Sequence, residues 1–352
     1  MSNVGRYALI FVTAFMISWL LSPLSKRLAY FLGAVDKPKA RGVSQRPLPR
    51  LGGVAIYAAF VSTIAIFLRR PDFNMWGIII GSTIIMLVGV IDDIVTLKPK
   101  AKLFGQLLAA AVLPVYGVQA NWFTNPFGGM INVGHWGIPL TILWVVAICN
   151  AMNFIDGLDG LAAGIASIAS VTLLVVAIRL GQVPVIMLTL ILAGSTLGFL
   201  PYNFNPAKMI MGDSGAMFLG YILAAVSVQG TLKSATALAV FIPLVALGLP
   251  IMDTTIVVIK RLFNHRPVTE ADRNHLHHRL LDMGLSQKQA VAVLYSVSGF
   301  CGVSALALTE TKPLGGLLIV AGLVLGLLYV GRKSGLITMS MHDGTGTTSV
   351  NK

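Results

Sequence analysis

The sequence predicts an all-α, polytopic integral membrane protein with about eleven transmembrane helices. Its 352 residues are 56% hydrophobic and 11% charged, with a mean hydropathy of +0.82, which is typical of membrane proteins rather than soluble domains. Nearly charge-free windows long enough to cross a bilayer recur along the chain. Basic residues concentrate in alternate loops between these windows, as expected for a multi-pass topology.

Each predicted span is a window of about 20 mostly apolar residues, the length needed to cross the hydrocarbon core. The windows are 7–25, 51–68, 73–91, 103–120, 138–155, 160–178, 184–200, 214–230, 234–252, 290–308 and 313–331. The ninth continues past Asp253 to about residue 259, because spans often exceed the minimum length and tilt. We therefore expect one transmembrane domain over 1–331 and a polar, disordered cytoplasmic tail over 332–352.

The distribution of Lys and Arg predicts the orientation. With eleven spans, the loops after odd-numbered spans share a face with the C-terminal tail, and this face holds twenty of the 26 basic residues. The positive-inside rule makes that face cytoplasmic and the N-terminus external. The net charge of +13 then reflects topology and attraction to anionic lipid, and it argues against nucleic-acid binding.

Acidic residues give the first indication of chemistry. A carboxylate near hydrocarbon is energetically costly and usually functional. Six of the 13 acidic residues lie beside or inside the apolar windows, and they are Asp92, Asp93, Asp156, Asp159, Asp213 and Asp253. The last lies within the ninth window, where a structural pairing with a basic neighbour is an equally good explanation.

In the first cytoplasmic loop, Arg46 and Arg50 precede Gly52-Gly53, which opens the second span. Backbone donors at a helix N-terminus beside arginine form a site for an anion. Membrane anchoring by positive charge, together with close packing of the glycines, explains the same residues. Both interpretations stay open at this point.

The second loop begins with Asp92-Asp93 and continues to Lys98, Lys100 and Lys102. Adjacent carboxylates repel each other unless a cation lies near them. Magnesium binds through one or two carboxylates plus substrate phosphate oxygens, which suits this pair, and the lysines could hold the same phosphates. A solvated helix end with counter-charges is the alternative.

The third loop carries two polar pairs, Asn150 with Asn153 and Asp156 with Asp159. The members of each pair are three residues apart, so they can share a helix face. Amide and carboxylate groups together offer the donors and acceptors that a nucleobase and a ribose require. A structural turn explains one of the acids but not all four polar groups.

The fourth loop ends in Asp213 and Ser214, which look like the cap of the eighth span. Capping does not explain Asn203, Asn205 and Lys208 on the same loop, so a magnesium ligand is the preferred interpretation of Asp213.

The fifth loop contains the segment HLHHR. If it is helical, His275, His278 and Arg279 lie on one face. Three histidines with an arginine could bind zinc, or they could bind a diphosphate as donors. The phosphate role is preferred because no cysteine or matched acid accompanies them. A solvated interfacial helix is the remaining alternative.

Taken in order, these segments resemble the polyprenyl-phosphate N-acetylhexosamine-1-phosphate transferase family. The resemblance runs through DKP…PRLGG, IDDI, NAMNFIDGLDGLAAG, YNFNPAKMIMGDSG, PIMDTT and HLHHR, over most of residues 7–290. It implies a ten- or eleven-helix enzyme of the bacterial cytoplasmic membrane, with its active site on cytoplasmic loops. Such an enzyme uses Mg²⁺, with Mn²⁺ as an alternative, to transfer a sugar 1-phosphate from a UDP-sugar to undecaprenyl phosphate, releasing UMP.

The resemblance also implies residue roles. Asp213 is similar to the principal magnesium ligand, and Asp92 is expected beside the metal. The residues expected to take part in catalysis are Asp92, Asp93, Lys102, His275 and Arg279. The residues expected to bind substrate are Arg46, Arg50, Asn150, Asn153, Asp156, Asp159, Asn203, His277 and His278.

Two positions favour UDP-N-acetylglucosamine (UDP-GlcNAc) as the donor, as in the enzymes that start teichoic acid or O-antigen. The branch that uses UDP-N-acetylmuramoyl-pentapeptide shows three consecutive histidines, and Leu276 interrupts them here. Ile210 occupies the position at which that branch is expected to carry a Phe that would stack on uracil. That branch and an ion-coupled transporter are the alternatives, although a transporter would place its acids at mid-span. A homodimer is left open.

Overall fold

The structure is a computed structural model that describes residues 3–36, 47–68, 71–120, 122–124, 130–232, 241–263 and 275–333. Its helices are α1 (Asn3–Phe31), α2 (Gly52–Phe67), α3 (Phe73–Val95), α4 (Pro99–Val115), α5 (Gly137–Ile155), α6 (Leu161–Arg179), α7 (Val183–Asn203), α8 (Gly212–Leu232), α9 (Phe241–Ala246), α10 (Gly248–Phe263), α11 (Leu276–Asp282), α12 (Gln287–Leu308) and α13 (Pro313–Lys333). A short 3₁₀ turn, Gly134–Trp136, precedes α5.

Two antiparallel two-stranded ladders complete the described elements. Strand β1 (Val35–Asp36) pairs with β2 (Leu48–Pro49), and β3 (Trp122–Thr124) pairs with β4 (Met130–Asn132). The first ladder joins the two ends of the first predicted loop. Residues 37–46, including Arg46, and the predicted tail beyond residue 333 lie outside the described residues.

The fold is that of an all-α membrane protein. Among the described residues, six helical segments are long and apolar enough to cross a bilayer, and they are Asn3–Phe31, Phe73–Val95, Gly134–Ile155, Leu161–Arg179, Val183–Asn203 and Gln287–Leu308. Shorter apolar helices add Gly52–Phe67, Gly248–Ile259 and Leu314–Gly326. The predicted α-helical membrane class is therefore confirmed.

The ninth predicted window is not one continuous helix. A break at Leu247 separates α9 from α10. Pro250 has no N–H to donate to the carbonyl of Ala246, and Gly248 favours a helix weakly, so the chain interrupts the helix there. The helix is thus interrupted at one residue, with bonds from the N–H of Leu247 to the carbonyl of Pro243 and from the N–H of Ile251 to the carbonyl of Leu247. That a single span covers 234–259 stays a prediction.

Helix α8 is the centre of the packing. It contacts α3 and α5, and further contacts join it to α2, α6 and α7. Its side chains are buried from Ser214 to Gln229. Small residues allow this close approach: a Cβ on Gly89 of α3 would lie 2.3 Å from the Cα of Ser214, and one on Gly220 would lie 2.6 Å from the Cα of Cys149.

This packing brings helix ends together. Helices α3 and α5 finish where α4 and α8 begin, because α3 and α5 run antiparallel to α4 and α8. The polar residues at those ends, far apart in sequence, therefore meet at one edge of the bundle.

Candidate active site

A polar cleft of about 730 Å³ opens at this edge. Its wall comprises Asp36, Leu48, Arg50, Asn153, Asp156, Gly157, Leu158, Asp159, Asn203, Asn205, Pro206, Ala207, Lys208, Ile210, Gly212, Asp213 and Gln287. The segments that supply them are the predicted first, third and fourth loops and the start of α12. The structure therefore brings these loops together around one space.

Lys102, Asn153 and Asp213 form the polar cluster beside the cleft. The Lys102 Nζ lies 2.9 Å from Asp92 Oδ2, 3.0 Å from Asp213 Oδ1 and 3.1 Å from Asn153 Oδ1. The Asn153 amide also donates to Asp213 Oδ1. One ammonium group thus satisfies three acceptors that come from α3, α5 and α8, which fixes the Asp213 carboxylate at the cleft.

The adjacent acids Asp92 and Asp93 point to different partners. Asp93 accepts the backbone N–H groups of Asp213 (2.9 Å) and Ser214 (3.0 Å), so it stabilises the first turn of α8. Asp92 accepts the N–H of Leu97 at 2.7 Å and pairs with Lys102. The cap predicted for Asp213 or Ser214 is thus supplied by Asp93, from 120 residues earlier in the chain.

Arg50 is the second cation of the site. It lies 3.7 Å from Asp93 and 3.6 Å from Asp213, measured between nitrogen and carboxylate oxygen. The N–H groups of Gly52 and Gly53 donate to the carbonyls of Ile210 (3.1 Å) and Met211 (2.9 Å). Those two donors are therefore not available to an anion, so the glycines pack here as the second interpretation expected. A contact between Arg50 and a phosphate stays a prediction.

Glycines also allow the first and fourth predicted loops to approach closely. A Cβ on Gly53 would lie 2.2 Å from the backbone nitrogen of Gly215. Gly212 adopts a φ of +77°, and a Cβ there would lie 1.9 Å from the carbonyl oxygen of Arg50. Only glycine fits such a backbone contact, which brings Arg50 next to Asp213.

Two side chains hold the turn at residues 156–160. Asn203 accepts the N–H of Gly160 at 3.1 Å and donates to the carbonyl of Met209 at 3.1 Å. Tyr295 donates from its hydroxyl to the carbonyl of Gly160 at 2.5 Å. Asn203 is 2% exposed, so both ends of its amide hold the cleft wall, and contact with a nucleotide stays a prediction.

Asp159 and Asn205 join this turn to the fourth loop. One carboxylate oxygen of Asp159 accepts from the Asn205 amide (2.9 Å) and the N–H of Ala207 (3.0 Å). Asn205 also donates to Gln287 at 2.6 Å. These bonds keep Asp159 at the cleft and give it a structural role beside any role in binding.

Asn150 lies apart from the cleft. Its amide exchanges hydrogen bonds with the buried Gln106, at 2.9 and 3.3 Å, and donates to the carbonyl of Val146. Asn150 and Asn153 therefore have separate partners, and the expected contact between Asn150 and substrate stays a prediction.

Asp156 is a cleft carboxyl whose pKa is raised by its surroundings. Burial raises its pKa to about 8, and the nearby charges of Asp213 and Asp93 add to that rise. An ionised Asp156 therefore needs a cation to stabilise it at neutral pH.

The residues of the cleft fit a magnesium ion. Among the described residues, no three His, Cys, Asp or Glu side chains are grouped closely enough to hold a metal by themselves. Magnesium, however, takes one or two carboxylates and completes its shell with phosphate oxygens and water. Asp213 and Asp156 offer two carboxylates on one cleft, which suffices for such a site. The role of Asp92 as a ligand stays a prediction.

The HLHHR segment lies behind the cleft wall rather than in it. Residues Leu276–Asp282 form α11, and His275 directly precedes this helix. The His277 ring packs on Gly157, where a Cβ would lie 2.2 Å from Nε2. Burial and the neighbouring His278 lower the pKa of His277 to about 3, so this ring is neutral at physiological pH.

Asp253 has a partner that the sequence did not indicate. It accepts from His275 Nδ1 at 2.8 Å and from the N–H of Leu276 at 2.7 Å. His275 is 6% exposed and is not part of the cleft wall. The direct diphosphate contacts expected of His275, His278 and Arg279 stay predictions, and so does the substrate contact expected of His277.

Sequence reasoning did not identify Tyr295, Gln106 or Gln287. Tyr295 and Gln106 lie inside apolar helices, where a single polar group resembles ordinary packing. Gln287 lies inside the capping box formed by Ser286 and Gln289, which marks a helix start but not a site. Their partners lie 44 to 135 residues away, so no local pattern indicates them.

A helical membrane protein whose carboxylates and cations converge on a cleft at helix ends has the features of a membrane-embedded enzyme that transfers a phosphate group. Comparison with known sequences agrees. Residues 75–231 match the profile of glycosyl transferase family 4. A probable undecaprenyl-phosphate N-acetylglucosaminyl 1-phosphate transferase from Bacillus subtilis is 38% identical over 94% of this chain and 93% of its own.

A second relative is the decaprenyl-phosphate N-acetylglucosaminephosphotransferase of Mycolicibacterium smegmatis. It is 34% identical over 93% of this chain and 89% of its own length. The chain belongs to the polyprenyl-phosphate N-acetylhexosamine-1-phosphate transferase family, within glycosyl transferase family 4.

Proposed function

We propose that this protein transfers N-acetylglucosamine 1-phosphate from UDP-GlcNAc to undecaprenyl phosphate and releases UMP. The observation that carries the proposal is the cleft lined by Asp156 and Asp213, where Lys102 and Arg50 both lie beside the Asp213 carboxylate. The relatives with matches over most of both chains are named for N-acetylglucosamine and a polyprenyl phosphate, which supports the same donor sugar and acceptor.

The proposed reaction is one phosphoryl transfer. An oxygen of the acceptor phosphate attacks the sugar-bearing phosphorus of the UDP-sugar, a new P–O bond forms, and the P–O bond to UMP breaks. Several negative charges meet in this step, so positioning and charge neutralisation supply most of the catalysis. A phosphate monoester is already nucleophilic near neutral pH, so a strong general base is not required.

Lys102 and Arg50 are proposed to neutralise phosphate oxygens, and Asn153 to hold Asp213 in place. Magnesium, when bound by Asp213 and Asp156, would neutralise charge on the diphosphate. Mn²⁺ has the same preference for hard oxygen ligands. Asp159 and Asn205 are proposed to bind the nucleoside end of the donor, because amide and carboxylate groups pair with a base and a ribose.

The proposed topology places this chemistry where both substrates can reach it. We propose eleven spans within a single domain over 1–331, a cytoplasmic tail, an external N-terminus and cleft loops in the cytoplasm of a bacterial cell. The uneven distribution of Lys and Arg supports this orientation. A lipid acceptor then keeps its tail in the bilayer while its phosphate reaches the cleft.

A panel of UDP-sugars tests the substrate. Purified protein with undecaprenyl phosphate and Mg²⁺ is expected to release UMP from UDP-GlcNAc at least ~100-fold faster than from UDP-N-acetylmuramoyl-pentapeptide, because a site built for one sugar leaves polar groups unpaired with another. EDTA is expected to stop the release, and Mn²⁺ to restore part of it. Equal rates with the two donors would contradict the assignment, and release unaffected by EDTA would contradict the metal.

Single-cysteine labelling tests the orientation. In a background in which Cys149 and Cys301 are replaced by alanine, a cysteine at Asn125 is expected to react with a membrane-impermeant thiol reagent on intact cells. Cysteines at Gly42 and Thr269 are expected to react only after the membrane is opened. Labelling of Gly42 in sealed cells would place the loops outside, away from UDP-sugars, and would contradict the proposed orientation.

A further inference from the structure

The carboxylate of Asp253 connects α10 to the HLHHR segment. It is 2% exposed, and both of its oxygens are engaged: Oδ2 lies 2.8 Å from His275 Nδ1, and Oδ1 accepts the N–H of Leu276 at 2.7 Å. Leu276 is the first residue of α11. Asp253 therefore holds both the start of this helix and the imidazole that precedes it.

The pairing determines which nitrogen of His275 carries a proton. A carboxylate can only accept a hydrogen bond, so Nδ1 of His275 must donate. In the neutral ring this leaves Nε2 as the acceptor. The same arrangement of acid and imidazole fixes the tautomer of catalytic histidines in other enzymes.

Ring contacts connect the HLHHR segment at the start of α11 to the cleft wall. The centroid of the His275 ring lies 5.5 Å from that of Phe154, which precedes the cleft turn. The His275 ring also stacks on the ring of His277, with centroids 5.8 Å apart and an angle of 10° between the ring planes. His277 in turn packs on Gly157 of the cleft wall. A shift of α11 would therefore displace the turn that carries Asp156.

We propose that Asp253 is a positioning residue of the transferase, which orients His275 with Nδ1 protonated and fixes α11 against the turn at residues 156–160. This inference rests on the proposed function, because it assigns Asp253 a role in that reaction. Asp253 does not face the cleft and acts only through His275 and α11.

The variant D253N distinguishes a role of Asp253 in orienting His275 from a role in the stability of the fold. The asparagine can still accept from the N–H of Leu276, but its amide nitrogen donates to His275 Nδ1 and forces the proton to Nε2. We expect kcat for UMP release from UDP-GlcNAc to fall by about 30-fold or more, with the midpoint of thermal unfolding in detergent close to that of the wild type. The matched control is T254V on the same helix, where the described neighbours leave the hydroxyl without a hydrogen bond. It should keep kcat and KM.

A double-mutant cycle tests whether Asp253 acts through His275. If it does, D253N should cost less than about 3-fold when His275 is already alanine. Full additivity of the two losses, or a D253N enzyme with the kcat and KM of T254V, would overturn the proposal. So would a D253N protein that fails to fold while T254V folds, since Asp253 would then serve the fold alone. Lack of UMP release by the wild type is a separate result that contradicts the proposed function itself.

Discussion

Replacing Asp213 with asparagine is expected to lower kcat/KM for UMP release on the order of 1000-fold, the effect of removing a main electrostatic contact to the reacting groups. Asparagine matches aspartate in size, and it can still accept from Lys102 and Asn153. It lacks the charge that a magnesium ligand requires. The loss should therefore appear as reduced activity and a weaker response to added Mg²⁺, with little change in thermal stability.

The matched control for this substitution is D282N, which makes the same chemical change at an exposed carboxylate on α11. It should leave activity and its magnesium dependence near those of the wild type. If D213N were as active as D282N at ordinary magnesium concentrations, Asp213 would be only a residue of the α8 terminus, and the proposed metal site would be wrong.

Replacing Lys102 with methionine is the second change with a large expected effect. Methionine keeps the apolar stem but removes the ammonium group that contacts Asp92, Asp213 and Asn153. Two carboxylates then lose their common counter-charge in a poorly solvated place, which costs about 3 kcal/mol. We expect a lower midpoint of thermal unfolding and a loss of kcat/KM on the order of 100-fold, because the phosphates lose a cation as well.

K100M provides the comparison, because Lys100 is exposed two residues earlier in the same first turn of α4. It should behave as the wild type in both measurements. A K102M protein with lower stability but unchanged kcat/KM would restrict Lys102 to a structural counter-charge, and one unchanged in both would contradict the geometry of the cluster.

The class of the protein and the loops that line the cleft could be predicted, because both depend on properties that are summed along the chain. Hydropathy is a sum over a window, so helices such as α3 and α6 appear without knowledge of any neighbour. Charges beside apolar windows are conspicuous for the same reason. The third and fourth loops were therefore identified as parts of one site, and both line the cleft.

The detailed roles of the acids could not be predicted, because each depends on a partner distant in sequence. Asp92 and Asp93 are identical neighbours in the chain, yet one pairs with Lys102 and the other caps α8. The helix orientation at that end sends their side chains in different directions. Asn150 and Asn153 likewise share a motif, and only Asn153 reaches the cleft.

The sequence by itself determined the membrane class, the family resemblance and the residue types available for phosphate chemistry, because these follow from composition and local motifs. Only the tertiary structure decided which side chains share a space. In the folded protein Lys102 contacts three acceptors from three helices, and Asp253 pairs with His275. The physical reason is that a carboxylate in a poorly solvated interior accepts hydrogen bonds from the donors that the packed helices bring within about 3 Å. Which donors these are depends on helix packing, and helix packing is not encoded in any short stretch of residues.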